Sequence, residues 1–297
     1  VNVVTANNSA LSGSIETRDE IRSIEKEKKA KYLCEVTVGG GLPIISTLRD
    51  LLNSGDKIRY VDGILSVSMS YIMHRISPPP GLCHCQEFDE EITGGHFQGD
   101  ISMSPRHKIE NSCSFSEALK EAIALGLTEE DPARDFNNEY TARCLIVLAS
   151  ELGLDRGHTV EKTQSRSDKI IEMVDTINLN SIPDAINRTI AERVSNASSK
   201  GCVLRHISSV DVKTGEIDIK ILEVPENHVF ATAPPSSECV RFFTQRYRQY
   251  PLIVQGPSAG ADSTASALLA EVLHLMKNKV GPRAGALLRT SSSTLLE

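Results

Sequence analysis

The segment TEEDPARDFNNEYTARCLIVLA, residues Thr128–Ala149, carries most of the information about fold and function in this chain. Its first half is an acidic stretch interrupted by Pro132, and its second half is apolar. Residues 139–152 predict a helix, because an apolar stripe recurs at helical spacing at Leu145, Leu148, Ala149 and Leu152. The segment therefore predicts an acidic loop that leads into a packed helix.

Two pairs of side chains in this segment have functional potential. Tyr140 and Cys144 are four residues apart and share one face of the predicted helix. A cysteine with a pKa near ~8.5 could donate a proton, although a cysteine within CLIVLA equally suits a core position. Glu129 and Asp135 could bind an ammonium group through charge-assisted hydrogen bonds. Alternatively, these two acids are favoured by the dipole of the following helix.

The flanking sequence alternates between helical and strand patterns, which predicts an α/β fold. Helices are predicted over Ser14–Lys31, from Pro43 to a stop at Gly55, over residues 115–127 with Ser114 or Ser116 as cap, over Lys169–Ser195 with a break at Pro183, and after the glycine-rich turn QGPSAG. Strands are predicted over Tyr32–Val38, over Tyr60–Ser70 with a short helix to follow, over Cys202–Val224 as two strands around Lys213–Glu216, and over Phe242–Val254.

Composition places the chain among globular proteins. Of its residues, 40% are hydrophobic and 24% are charged, and its net charge is −7. Its length of 297 residues predicts about two domains. The absence of a basic stripe argues against nucleic acid, and no apolar run approaches the ~20 residues of a membrane helix. Seven cysteines and no secretory signal favour a reducing compartment, so we expect the cytoplasm, or a plastid if a transit segment lies upstream. A start at Val1 suggests a fragment or a processed product.

Residues 77–113 differ in character from the rest of the chain, with PPPG, few aliphatic residues, and clustered histidine and cysteine. A zinc site is one interpretation of Cys83, His84, Cys85, His96, His107 and Cys113. The C-x-C pair lacks a second C-x₂-C or H-x₃₋₅-H pair, so the spacing argues against zinc. We expect a flexible insertion instead.

The acidic segment resembles the signature of homoserine dehydrogenases, T-E-P-D-P-R-D-D-L-x-G-x-D-V-A-R-K. The residues that match it in register are Thr128, Glu129, Asp131, Pro132, Asp135, Ala142 and Arg143. Four further segments resemble the family in the expected order: VTAN at Val4–Asn7, EVTVGGGLPIISTLRDLLNSGDKI at Glu35–Ile58, GILSVSMSYIM at Gly63–Met73, and VQGPSAGADSTASALLAEVL at residues 254–273. The resemblance spans nearly the whole chain and favours the form fused to aspartate kinase.

The resemblance implies an NAD- or NADP-dependent oxidoreductase. Its small-molecule substrates would be L-homoserine and L-aspartate 4-semialdehyde, in threonine and methionine biosynthesis. The implied fold is a mixed-sheet catalytic and dimerisation domain at residues 35–250. Remnants of a Rossmann nucleotide-binding domain would flank it at residues 1–34 and 251–297. A homodimer through the central sheet is implied, and no G-x-G-x-x-G fingerprint occurs in the sequence.

The resemblance also implies roles for individual residues. Glu129 and Asp135 would bind the substrate amino group. The cofactor-binding positions would be Asn8, Gly256 and Gly260. A sodium ion would be bound by Glu35 together with backbone oxygens of Val38, Gly40 and Leu42, although a plain strand-to-helix turn explains the same residues.

The chain departs from the family at the positions that carry its chemistry. The catalytic aspartate and lysine of the signature fall on Tyr140 and Cys144, and a second lysine falls on Asn8. Val67 and Ser258 replace glycines. Two hypotheses follow: an active oxidoreductase whose proton is supplied by substitutes, or a degenerate pseudoenzyme that acts as a dimerising or regulatory partner.

Overall fold

The computed structural model describes residues 1–80, 113–154, 157–164, 182–257 and 260–279. Its helices are α1 (Ser9–Ser12), α2 (Ile15–Lys28), α3 (Ile44–Asn53), α4 (Val67–Ile76), α5 (Phe115–Ala124), α6 (Ala133–Phe136), α7 (Glu139–Glu151), α8 (Val160–Gln164), α9 (Asp184–Ser198), α10 (Val229–Thr232) and α11 (Ala261–Lys279). Its strands are β1 (Val3–Val4), β2 (Tyr32–Leu33), β3 (Ile58–Ile64), β4 (Cys202–Asp211), β5 (Glu216–Pro225), β6 (Ser237–Thr244) and β7 (Leu252–Pro257).

The strands form two sheets. The larger has the order β5-β4-β3-β6-β7, and every neighbouring pair in it is antiparallel. The smaller is the parallel pair β1 and β2, which is joined through α1 and α2. The α/β fold class is confirmed, but the central sheet, which was expected to be mixed, is antiparallel throughout its described strands, and the parallel pair stands apart in the smaller sheet.

One face of the five-stranded sheet is covered by helices. Strand alternation places Val61, Val210 and Phe242 on this face, where they pack in one core with α3 and α7. The opposite face carries the short helix α10, with Phe230 packed on Ile64. The sheet thus offers α7 a rigid support, and the candidate site lies on that side.

Two predicted strands were wrong. The strand expected over Tyr60–Ser70 ends at Ile64, and α4 begins at Val67 because the Ser66 hydroxyl caps it by accepting the Met69 N–H. The single strand expected over Phe242–Val254 is two antiparallel strands, β6 and β7. The turn between them is held by the remote Asp56, whose carboxylate accepts from the Arg246 N–H and the Thr244 hydroxyl.

The segment expected as a strand over Tyr32–Val38 is also shorter than predicted. It contains β2, and then a 3₁₀ turn at Glu35–Thr37. The two strands predicted within Cys202–Val224 are confirmed as the β4–β5 hairpin, whose turn is held by the Asp211 carboxylate.

Several predictions concern residues outside those that the structure describes. They include most of the 77–113 insertion, five members of the proposed zinc cluster (Cys83, His84, Cys85, His96 and His107), residues 169–181 of the helix predicted over Lys169–Ser195, Ser258, and the residues after 279. Within the described ranges, no group of three or more histidine, cysteine, aspartate or glutamate residues could hold a metal ion. No helix in those ranges has the length and apolar character needed to cross a membrane.

Candidate active site

The site is organised by α7 and the loop before it. Asn138 directly precedes α7 with φ of 59°, a left-handed conformation that asparagine tolerates better than most residues. Its carbonyl accepts the Ala142 N–H at 2.8 Å and starts the helix. Cys144, one turn into α7, is fully buried in the main core.

Asn8 and Cys144 lie side by side although they are far apart in sequence. The Asn8 amide is 3.9 Å from the Cys144 sulfur, and both side chains point at the Thr37 carbonyl, at 3.4 and 3.7 Å. α1 starts directly after Asn8, and the Arg143 guanidinium holds it to α7 by donating to the Ser12 hydroxyl at 3.3 Å. The two positions where the family has lysines therefore converge on one point.

Tyr140 and Cys144 interact electrostatically, in keeping with their common face on the helix. The charge on an ionised Cys144 thiolate raises the pKa of Tyr140 above its ordinary value, while the residue as a whole stays 40% exposed. Burial, followed by the negative charge of Glu238, raises the pKa of Cys144 far above that of a free thiol. Both groups therefore stay protonated at neutral pH. They can donate hydrogen bonds, but they are poor proton acceptors.

Asp135 organises the acidic loop. One of its carboxylate oxygens accepts from the Ser68 hydroxyl at 2.7 Å, and the other accepts from the Glu129 N–H at 2.9 Å. Burial raises the pKa of Asp135, and these hydrogen bonds oppose that shift. The Glu129 residue itself is exposed. The structure thus brings Glu129 and Asp135 together, with Glu129 exposed and Asp135 partly buried.

The glycine turn at Gly39–Gly41 closely follows Thr37, whose carbonyl Asn8 and Cys144 approach. The two Glu35 carboxylate oxygens accept the N–H groups of Ile45 and Ser46 at 2.9 and 2.8 Å, so this side chain closes the start of α3. The Leu42 carbonyl accepts the Ile44 N–H at 2.9 Å. Burial raises the pKa of Glu35. These contacts are those of a strand-to-helix turn, and sodium at Glu35, Val38, Gly40 and Leu42 stays a prediction.

The glycines predicted to bind the cofactor differ in their surroundings. A Cβ at Gly256 would lie 2.9 Å from the Leu42 side chain, so close packing explains that glycine. Gly260 has φ of 133°, and among the residues that the structure describes the Ser263 hydroxyl lies 3.8 Å from the position of an added Cβ. The cofactor roles of Asn8, Gly256 and Gly260 stay predictions.

Gly39→Ala is expected to destabilise the protein by more than the ~1–2 kcal/mol that a left-handed alanine costs. Gly39 has φ of 77°, and a Cβ there would lie 2.7 Å from the Ile44 side chain. Gly215→Ala is the matched control, since φ is 74° and nothing lies within 4 Å of the added carbon. Urea unfolding of both variants isolates the steric contribution. Equal losses of stability would show that Ile44 does not constrain the turn.

Two features of the site were missed by sequence reasoning. Glu238 in β6 is only 3% exposed and acts electrostatically on both Tyr140 and Cys144. A buried hydrogen bond joins Asn138 to His206 in β4. The one available signal was a charged residue in the apolar run that becomes β6, since glutamate is rarely fully buried.

Comparison with known proteins decides the family. The family model for homoserine dehydrogenase matches residues 43–273, which include α7 and its acidic loop. The chain belongs to the homoserine dehydrogenase family. Homoserine dehydrogenase of Emericella nidulans is 30% identical over 290 residues, which cover 93% of this chain and 69% of that protein.

Relatives among fused enzymes cover the chain equally well. Bifunctional aspartokinase/homoserine dehydrogenase 1, chloroplastic, of Zea mays is 31% identical over 277 residues, 93% of this chain. The chain spans only 26% of the length of that bifunctional enzyme. It spans the same share of bifunctional aspartokinase/homoserine dehydrogenase 2, chloroplastic, of Arabidopsis thaliana.

Solved structures show the same fold. A protein of unknown function from Candida auris superimposes with a TM-score of 0.75 at 28% identity, over 92% of this chain and 69% of that one. A putative homoserine dehydrogenase from Archaeoglobus fulgidus gives 0.64 at 22% identity, over 92% and 67%. A hyperthermophilic archaeal homoserine dehydrogenase in complex with NADPH gives 0.56 at 19% identity, over 92% and 63%. The predicted resemblance to homoserine dehydrogenases is confirmed.

Proposed function

We propose that this protein interconverts L-homoserine and L-aspartate 4-semialdehyde with NAD or NADP, in threonine and methionine biosynthesis. The observation that supports this is the convergence of Asn8, Tyr140 and Cys144 at one point in a member of the homoserine dehydrogenase family. When bound, the nicotinamide supplies hydride transfer. Asn8 and Gly260 would be among the residues that hold this cofactor, and the φ of 133° at Gly260 is one that favours glycine.

Substrate recognition would rest on the acidic loop. The exposed carboxylate of Glu129 binds the substrate ammonium through charge-assisted hydrogen bonds. Asp135 contributes by holding the Glu129 backbone in place through its bond to that N–H. The direct amino-group contact proposed for Asp135 competes with its bonds to Ser68 and Glu129, so Glu129 makes the larger contribution.

Proton transfer is the weak step in this site. The Tyr140 hydroxyl can donate a hydrogen bond to a substrate oxygen and so stabilise negative charge there, whereas the Asn8 amide is already directed at the Thr37 carbonyl and the Cys144 sulfur. Neither group takes up a proton at neutral pH, since the pKa of Tyr140 is raised and an amide does not titrate. We therefore expect slow turnover, with water as the proton source and sink.

Glu129→Gln is expected to raise the homoserine KM about 10- to 100-fold, because a charge-assisted hydrogen bond contributes roughly 1.5–3 kcal/mol. Glu130→Gln is the matched control, since that residue is also exposed and adjacent but lies outside the Asp135 network. Steady-state kinetics and calorimetric binding on the natural full-length product check this. Equal effects of the two variants would contradict the assigned role of Glu129.

The second candidate function is a degenerate family member that pairs with itself or with an active relative. It is favoured by the full burial of Cys144, which leaves α7 without a titrating group at that position. The sheet face opposite α7 would form the interface. Strand alternation places Leu222 and Ile253 on that face, and they are 42% and 41% exposed.

Leu222→Lys is expected to shift a homodimer towards monomer by ~10-fold or more in Kd, because a lysine in an apolar interface loses its hydration. Leu269→Lys on α11 is the control, since Leu269 is 57% exposed but lies off the sheet. Sedimentation velocity across a dilution series measures both variants. A strictly monomeric wild type at micromolar concentration would remove the basis for pairing.

A further inference from the structure

A buried hydrogen bond connects the candidate active site to the central sheet. Asn138 directly precedes α7, and His206 lies in the middle of β4. The Asn138 Oδ1 to His206 Nε2 distance is 3.0 Å, and each side chain is 1% exposed. An amide oxygen only accepts hydrogen bonds, so His206 Nε2 carries the proton that it donates to Asn138.

Backbone conformation alone does not explain an asparagine at position 138. Glycine adopts the left-handed region at the lowest cost, and glycine stands at this position in the family signature. The asparagine buries an amide whose Nδ2 has no hydrogen-bond partner among the described residues. A buried donor without an acceptor is destabilising. The bond through Oδ1 is therefore what asparagine contributes here and glycine cannot.

His206 is well placed to act as an anchor. His206 is paired with Ile221 of β5, and β4 is also paired with β3 from Ser208 onward, so the imidazole stands on a strand that is held within the sheet. Asn138 in turn starts the first turn of α7, the turn that presents Tyr140 and leads to Cys144. The acidic loop ends at the same residue.

We propose that His206 is a positioning residue, which acts through Asn138 to fix the start of α7 and thereby the placement of Tyr140 and Cys144. The role rests on the proposed function, because it concerns the same site. His206 touches none of the reacting groups itself. Its hydrogen bond to Asn138 ties the residue with the left-handed backbone to the sheet and so restricts the conformations of the chain just before α7.

Peptide-resolved alkylation of Cys144 by iodoacetamide tests this on the natural full-length product. His206→Phe keeps a planar ring but removes the donor, and it is expected to raise the Cys144 alkylation rate about tenfold, the size of one lost buried hydrogen bond. Cys239 in β6 is an internal control, since it is also 0% exposed but lies away from α7. Its rate is expected to stay unchanged.

The His206→Gln variant is expected to show the wild-type alkylation rate at Cys144, because the glutamine amide offers an N–H to Asn138 as the histidine does. Asn138→Gly is expected to raise the Cys144 alkylation rate as much as His206→Phe does. Combining the two substitutions is expected to raise that rate no further. A parallel rise at Cys239, no change at Cys144, or no rescue by glutamine would overturn the proposal. Calorimetry with homoserine on the wild type is run separately. A lack of binding there contradicts the proposed function, while the alkylation rates still decide the role of His206.

Discussion

The double variant Tyr140→Asp/Cys144→Lys is expected to oxidise homoserine about 10²–10⁴-fold faster than the natural protein, which is the usual contribution of a positioned acid–base group. The substitutions restore the aspartate and lysine of the family signature on one face of α7. The experiment follows NADPH absorbance with the natural full-length product and the variant side by side. Turnover only in the variant would identify the natural protein as a pseudoenzyme.

The surroundings of Cys144 suit a lysine ammonium. The Thr37 carbonyl lies 3.7 Å from the sulfur and could accept from the ammonium, and the negative charge of Glu238 already acts on this position. A buried lysine without such partners would lose its charge or unfold the site. Here the carboxylate offsets part of the desolvation cost, so the helix should accept the longer side chain.

Tyr140→Asp/Cys144→Met is the matched control, because methionine is close to lysine in length but has no amine. It is expected to stay as slow as the natural protein. If the natural protein already turns over as fast as the lysine variant, proton transfer follows another route. The proposed deficit at Tyr140 and Cys144 would then be wrong.

Local signals were sufficient for the helices around the site. The helix expected over Ser14–Lys31 is α2, and the Ser14 hydroxyl caps it by accepting the Thr17 N–H. Of the two serines predicted as caps for α5, Ser114 is the one used, in a reciprocal arrangement with Glu117. Each of these bonds spans three residues, so the sequence contains both partners within one window.

The merging of β6 and β7 into one predicted strand has a non-local cause, whereas the strand predicted to run to Ser70 missed the local cap at Ser66. The turn between β6 and β7 is held by Asp56, which is 188 residues from its partner Thr244. No local pattern marks such a turn, so the two strands were merged into one. Glu238 and His206 were missed for the same reason, since strand pairing and helix packing bring them to α7.

For the site, too, contacts between residues close in sequence were predicted from the local pattern, and contacts between distant residues were not. Tyr140 and Cys144 are four residues apart on one helix, and their contact followed from helical geometry. The meeting of Asn8 with Cys144 spans 136 residues and was implied only by the family resemblance. A contact within one helix is encoded in a short stretch of sequence. Predicting a contact such as that of Asn8 with Cys144 requires the tertiary fold.

Arg205 in β4 shows a different type of buried charge. Its side chain is 0% exposed and donates to the backbone carbonyls of Met73, Ser77, Leu204, Phe230 and Ala231. Burial lowers its pKa to about 9, so the guanidinium is still charged at neutral pH. One side chain therefore ties the end of α4 and the helix α10 to the sheet.

Arg205→Met is expected to lower the free energy of unfolding by about 3–5 kcal/mol, because it leaves buried carbonyls in α4 and α10 without this donor. Arg246→Met is the control. That arginine also donates to a backbone carbonyl, at Ser54, but it is exposed, so a change of about 0.5 kcal/mol is expected. Urea unfolding at neutral pH with a shared m-value measures both. Similar losses for the two variants would mean that water replaces the Arg205 bonds, and that α4 and α10 are held to the sheet by apolar contacts instead.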